Sequence, residues 1–233
     1  MGKTRVSVAL LRELEARGFQ ALGLKPIESG LDLAAAAEAS DRQSEHEPKS
    51  DAAALARAGS LKSNVPHPLY AFVDPVSPHL AARLRGTAID MEQVVAWVSA
   101  AEASVTPLVA SHSAKRWTIV ETAGGVFSPL GPGLSNFELA RRLDPALWVL
   151  VAADSLGVLH DVSATLEAMR ARGRSPDHLV LSGAREPDAS TGSNAAELTT
   201  LAIATPSAVL ARHDDRGISA LVERLLSGLA VRR

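Results

Sequence analysis

Met1-Gly2-Lys3-Thr4 opens the chain, and its reading decides the fold. Gly2-Lys3-Thr4 matches the second half of the phosphate-binding signature G-x-x-x-x-G-K-[ST], in which a strand runs into a glycine-rich turn that opens a helix. The strand and the first glycine have no counterpart ahead of Gly2. The helix does follow. Over residues 4–17, Val6, Ala9, Leu10, Leu14 and Ala16 fall near one face, with Arg5, Arg12, Glu13, Glu15 and Arg17 largely elsewhere, which is the period of an amphipathic helix. Gly18 is placed to end it. At such a helix start, backbone N–H groups and the helix dipole favour a phosphate. Lys3 would reach the terminal phosphates and the Thr4 hydroxyl a Mg²⁺ ion. The competing reading is an initiator methionine followed by a frayed polar end. Three residues do not decide between them, so the rest of the chain must supply a parallel sheet, metal-binding carboxylates and an acceptor site.

The sheet is legible downstream. Residues 21–25 form a short apolar strand stopped by Pro26, and Lys25-Pro26-Ile27-Glu28-Ser29-Gly30 reads as the loop at its carboxyl end, the edge where open α/β sheets bind ligands. An Ala-rich stretch and a polar loop occupy residues 31–50, and Asp51 opens a short helix that closes at Gly59. Four prolines within residues 65–78 imply extended irregular chain. Helices are expected at 78–84 and about 90–103. Trp117-Thr118-Ile119-Val120-Glu121 is a buried strand ending in a carboxylate, followed by Thr122-Ala123-Gly124-Gly125 and a Pro/Gly-rich loop to about Ser135. A short helix through Phe137, Leu139 and Leu143 comes next. Strands at 146–152, 178–181 and 207–210 alternate with helices at 158–171, 194–202 and 216–229. Strand-helix alternation of this kind argues for an α/β fold, a parallel sheet with helices on both faces. No internal repeat or second domain is visible.

Composition narrows the function. The 233 residues suit one α/β domain, and 46% hydrophobic content with 3% aromatics builds its core from Ala, Leu and Val. The absence of cysteine excludes disulfides, thiolate metal sites and a cysteine nucleophile. A net charge of −2 gives no electrostatic case for nucleic acid. No apolar run is long enough for a membrane span and no signal-peptide pattern opens the chain, so a soluble cytoplasmic protein is expected.

Each candidate side chain carries two readings. Glu121, with two glycines behind it that let backbone approach a ligand, suits a Mg²⁺ role; it could also be an exposed charge at a strand end. Asp51 suits an N-cap. Lys25 is either a substrate-binding ammonium or a solvated strand terminus. The seven histidines show no metal-ligand spacing, and His79 and His160 read as surface residues unless they line the cleft.

Together the blocks resemble the dethiobiotin synthetase family of P-loop NTPases. The blocks are Gly2-Lys3-Thr4, Lys25-Pro26-Ile27-Glu28-Ser29-Gly30, Ser77-Pro78-His79 and Val120-Glu121-Thr122-Ala123-Gly124-Gly125-Val126-Phe127-Ser128-Pro129-Leu130, with a fainter Leu156-Gly157-Val158-Leu159-His160. The resemblance spans roughly residues 1–165. It implies an ATP-dependent cyclo-ligase of biotin biosynthesis. CO₂ adds to one amine of 7,8-diaminopelargonate, ATP phosphorylates the carbamate, and the second amine closes the ureido ring and releases phosphate. By the same resemblance Gly2, Lys3, Thr4, Glu121, Gly124, Gly125 and Ser182 are nucleotide-binding positions. Thr4, Asp51 and Glu121 would bind Mg²⁺. Lys25 would stabilise the carbamate and, with Lys3, the transferring phosphoryl charge. Ser29, Gly30 and His160 would contact substrate. A homodimer is implied, with residues 156–160 near its edge.

The sequence departs from the family pattern in three places. E-G-A-G-G reads E-T-A-G-G, the usual Asn-His reads His160-Asp161, and the usual Asn-Asp reads Ser182-Gly183. The resemblance also puts the strand before the phosphate loop at the centre of the sheet. The expectation is therefore a single domain over 1–233 that is truncated at its N-terminus, with the true start upstream. A missing central strand would open a gap of about 10 Å. Two other readings are weaker. A corrinoid-type amide ligase would carry a cysteine-dependent glutaminase domain, which this chain lacks. A non-catalytic nucleotide-binding relative would have no use for Lys25 and Ser29.

Overall fold

The computed structural model describes residues 1–31, 50–105, 115–212, 214 and 216–231. Most of the expected Ala-rich stretch and polar loop at 31–50 lies outside the described residues. In chain order the first elements are α1 (Lys3–Ala16), β1 (Gln20–Leu24), β2 (Ile27–Ser29), α2 (Asp51–Ala58), β3 (Tyr70–Phe72), α3 (Pro78–Leu84), α4 (Met91–Ala103) and β4 (Arg116–Val120). Then come β5 (Pro129–Gly131), β6 (Leu134–Ser135), α5 (Asn136–Leu143), β7 (Val149–Asp154), α6 (Val158–Ala171), β8 (His178–Gly183), α7 (Asn194–Thr200), β9 (Ala208–Leu210) and α8 (Gly217–Val231). They fall into two compact units, Leu14–Asp144 on one hand and Met1–Glu13 with Pro145–Arg233 on the other.

In the Leu14–Asp144 unit, β1 and β4 pair in parallel from Gln20↔Arg116 to Leu24↔Val120. Ala21, Leu22 and Leu24 are buried because an uninterrupted apolar strand has no face left for water. Helix α2 buries Ala52, Leu55 and Ala58, spaced one turn apart. Its far end is fastened to β1: Leu61 N–H donates to the Ala21 carbonyl at 2.9 Å and Ala21 N–H to Ser60 Oγ at 2.9 Å. Gly59 allows this approach, since a Cβ there would lie 2.8 Å from the Ala21 carbonyl oxygen. Trp97 and Val98 of α4 pack with Leu22, Leu24 and Leu61.

In the other unit, β7, β8 and β9 form a parallel sheet in that order, with Val149↔His178 and Val180↔Ala208 in register. Val158, Val162 and Leu166 of α6 pack against Leu179 and Leu181 of β8. Helix α8 buries Ile218, Leu221, Val222 and Leu225.

The α/β class and the parallel pairing are as the alternation requires. Three local expectations differ. Ile27–Ser29, read as loop, is a strand paired in parallel with Tyr70–Phe72, inside the proline-rich run read as irregular. Pro129–Gly131 and Leu134–Ser135 make a small antiparallel ladder within the expected loop. Ala16 is exposed rather than on the buried face of α1, where Leu11 takes its place. Among the described residues β4 pairs with β1 alone and β7 with β8 alone.

Candidate active site

Lys25 follows the last residue of β1 and is 5% exposed. Its Nζ donates to Glu121 Oε1 at 2.9 Å and to Asp51 Oδ2. The three residues meet because β1 and β4 run in parallel and end side by side, Glu121 N–H donating to the Leu24 carbonyl at 2.8 Å, while α2 starts beside them. Burial works against the ammonium, but Glu121 and Asp51 outweigh it and hold Lys25 above its ordinary range. The readings of Lys25 and Glu121 as solvated strand ends therefore fail. So does Asp51 as an N-cap, because Ser50 caps α2 and accepts from Ala53 N–H at 3.2 Å.

Two residues without a sequence-level role support this cluster. Glu28, 5% exposed on β2, accepts from Ser50 Oγ at 2.9 Å, Asp51 N–H at 2.6 Å and Ala52 N–H at 3.0 Å. A carboxylate between Ile27 and Ser29-Gly30 was the available signal. His67 accepts the Lys25 backbone N–H on Nε2 at 2.7 Å and stacks on Trp97 with ring centroids 5.4 Å apart. Burial pushes its titration down to about 4. That agrees with the contact, since accepting an N–H requires an unprotonated nitrogen. Nothing in the sequence singled out His67.

The flanking loops are built to bring backbone close. Ser29 Oγ donates to the Val76 carbonyl at 2.9 Å, and Gly30, at φ 80°, donates to the Asp74 carbonyl at 3.1 Å. Behind Glu121, Gly124 sits at φ 82° and Gly125 N–H donates to Ser128 Oγ at 2.8 Å. Asn136, 1% exposed at the start of α5, ties this loop down by donating to the carbonyls of Ala123 at 2.6 Å and Gly125 at 2.8 Å. Ser77 Oγ and His79 Nδ1 are hydrogen-bond partners at 3.1 Å.

In the other unit, α1 begins at Lys3, and Val6 N–H donates to the Gly2 carbonyl at 3.1 Å, so this start is ordered helix rather than a frayed end. Gly2 is at φ 79°, and a Cβ on it would collide with Ser182. Ser182 Oγ is buried with no hydrogen-bond partner among the described residues. Beside it lies a cavity of about 300 Å³ lined by Gly2, Arg5, Ser182, Arg185 and Arg212. Arg5 anchors the helix start by donating to the carbonyls of Leu210 and Asp214, each at 3.3 Å, and of Ala211. His160 is exposed on α6.

An AAA domain family profile matches residues 1–216. The ATP-dependent dethiobiotin synthetase BioD of Anaeromyxobacter dehalogenans is 35% identical over 211 residues, covering 90% of this chain and 84% of that protein. The chain belongs to the dethiobiotin synthetase family. The synthetase of the same name from Phenylobacterium zucineum is 30% identical over 203 residues, covering 85% of this chain and 78% of the relative. Among solved structures, the MinC:MinD cell division protein complex of Aquifex aeolicus aligns with 97% of this chain and 91% of its own at TM-score 0.49 and 11% identity.

Of the residues expected from the dethiobiotin synthetase pattern, Lys25, Asp51 and Glu121 form one hydrogen-bonded cluster, with Ser29 ending β2, Gly30 just after it, and Gly124 and Gly125 in the loop that follows β4. Gly2 and Ser182 are neighbours in the other unit, where Lys3 and Thr4 open α1. Among the described residues no group of three or more His, Cys, Asp or Glu is arranged to hold a metal, and no helix is long and apolar enough to cross a membrane.

Proposed function

We propose that this chain catalyses the ATP-dependent carboxylation and ring closure of 7,8-diaminopelargonate with CO₂ to dethiobiotin. The observation that carries the reading is the buried Lys25 ammonium. It has three donor positions; Glu121 and Asp51 take two, and the third remains for an oxygen of the carbamate. One substrate amine attacks CO₂ and loses a proton to become that carbamate. A carbamate oxygen takes the γ-phosphoryl group of ATP, and the second amine displaces phosphate from the mixed anhydride. Phosphoryl transfer of this kind depends on positioning and charge neutralisation. Lys25 supplies both, because its carboxylate partners fix it before substrate arrives.

Gly2, Lys3 and Thr4 are the proposed phosphate-binding residues, with Gly124 and Gly125 as further nucleotide contacts and Ser182 facing the base. Ser29, Gly30 and His160 are proposed substrate contacts. The all-oxygen pair Asp51 and Glu121 suits Mg²⁺, which binds through one or two carboxylates plus substrate phosphates and so needs no larger protein cluster. Asp51, whose side chain is 45% exposed, is the one an ion reaches from solvent. When bound, Mg²⁺ would neutralise charge on the phosphate oxygens. A homodimer with residues 156–160 at its edge belongs to the same reading, and analytical ultracentrifugation tests it.

Phosphate release should require diaminopelargonate and bicarbonate together. Lys25→Gln should lower that rate at least about a hundredfold with nucleotide affinity nearly unchanged. Hydrolysis indifferent to the diamine, or full turnover in Lys25→Gln, would overturn the assignment.

A further inference from the structure

We propose that Glu28 is a positioning residue for this reaction: its buried carboxylate holds the first turn of α2 so that Asp51 stays against the Lys25 ammonium. A carboxylate at 5% exposure requires compensation. Glu28 finds it in the backbone N–H groups of Asp51 and Ala52 and in the Ser50 hydroxyl. These are donors that a helix start leaves unsatisfied, at the positive end of the helix dipole. Ser50 takes the next N–H, that of Ala53, through its side chain. The first turn of α2 is thus held from β2, and the closest of the contacts falls on Asp51 itself.

The order of residues makes the arrangement purposeful. Lys25 and Glu28 stand three apart on one short segment separated by Pro26, which fixes the backbone between them. One reaches the side chain of Asp51 and the other its backbone. A carboxylate on α2, at the surface and 45% exposed, would otherwise be free to turn toward water. With Glu28 in place, its position relative to Lys25 is set from within one segment.

The consequence for turnover rests on the proposed role of Lys25; the positioning itself does not. The test therefore pairs two readouts on the full chain. The first is amide hydrogen exchange over the first turn of α2, followed by ¹⁵N NMR and compared with exchange in α8. Glu28→Gln, which keeps the shape but puts an NH₂ against the donors, should speed exchange of the Asp51 and Ala52 amides about tenfold and leave α8 unchanged. The second readout is diamine-dependent phosphate release. Here kcat should fall about tenfold while the nucleotide KM stays within about twofold. Unchanged exchange at Asp51 and Ala52 in Glu28→Gln, or a kcat equal to that of the unaltered chain, would overturn the proposal. If the unaltered chain shows no diamine-dependent turnover, the functional reading fails and hydrogen exchange still decides the role of Glu28.

Discussion

Replacing Lys25 with methionine removes the ammonium and leaves its two carboxylates. The side chains of Lys25 and Glu121 are 6% and 2% exposed, whereas Asp51 is 45% exposed. Asp51 can recover water, and its share of the loss is about 0–1 kcal/mol. Glu121 cannot, and taking one partner from a buried pair costs about 3–5 kcal/mol. Urea unfolding at pH 7 should therefore show a loss of about 3–5 kcal/mol in Lys25→Met. In the unaltered chain the raised Lys25 contributes stability below its ordinary 10.5 and loses it only above that. Adding Glu121→Gln removes the buried charge and should restore most of the loss. A deficit under about 1 kcal/mol, or a double variant no better than the single one, would refute this account.

Other outcomes follow from single contacts. Gly124→Ala forces an L side chain into φ 82° with Ser128 alongside, and chemical denaturation should report a loss of about 1–3 kcal/mol. Asn136→Ala removes the buried donor to the Ala123 and Gly125 carbonyls; a loss of about 1–3 kcal/mol is expected, with faster hydrogen exchange over residues 122–128. His67 is depressed from 6.5 to about 4, so its contribution is present above pH 6.5 and lost as pH falls toward 4. His67→Gln should flatten that part of a melting temperature against pH curve, and an unaltered slope would count against the neutral ring as acceptor.

The long elements were legible because their signals are local. Trp117 to Glu121 and Ala146 to Ala152 are apolar runs, and Val158, Val162 and Leu166 repeat at helical spacing. The pairing of Ile27–Ser29 with Tyr70–Phe72 was not, since three-residue strands more than forty positions apart leave no period to read. The site divides in the same way. Lys25, Asp51 and Glu121 stood out by position and by resemblance, but their mutual hydrogen bonds depend on β1 and β4 being neighbours, which no local pattern states. Glu28 sat inside a quoted motif with no partner visible nearby in sequence. His67 acts through a ring nitrogen on a backbone 42 positions away, a contact only the fold creates.

Helix α2 is attached at both ends to the same strand neighbourhood, its start by Glu28 and Lys25 and its finish by Gly59, Ser60 and Leu61 on Ala21. From Asp51 to Gly59 the helical rise amounts to about 12 Å, and from Lys25 back to Ala21 the strand covers about 13 Å. The helix is a ruler laid antiparallel along the strand, cut to its length. Substitutions on its outer side leave that measure intact. One inserted residue would turn Asp51 by about 100° and shift it about 1.5 Å, away from the ammonium it faces. Length changes within α2 or in the Gly59–Leu61 attachment therefore break the match to the strand.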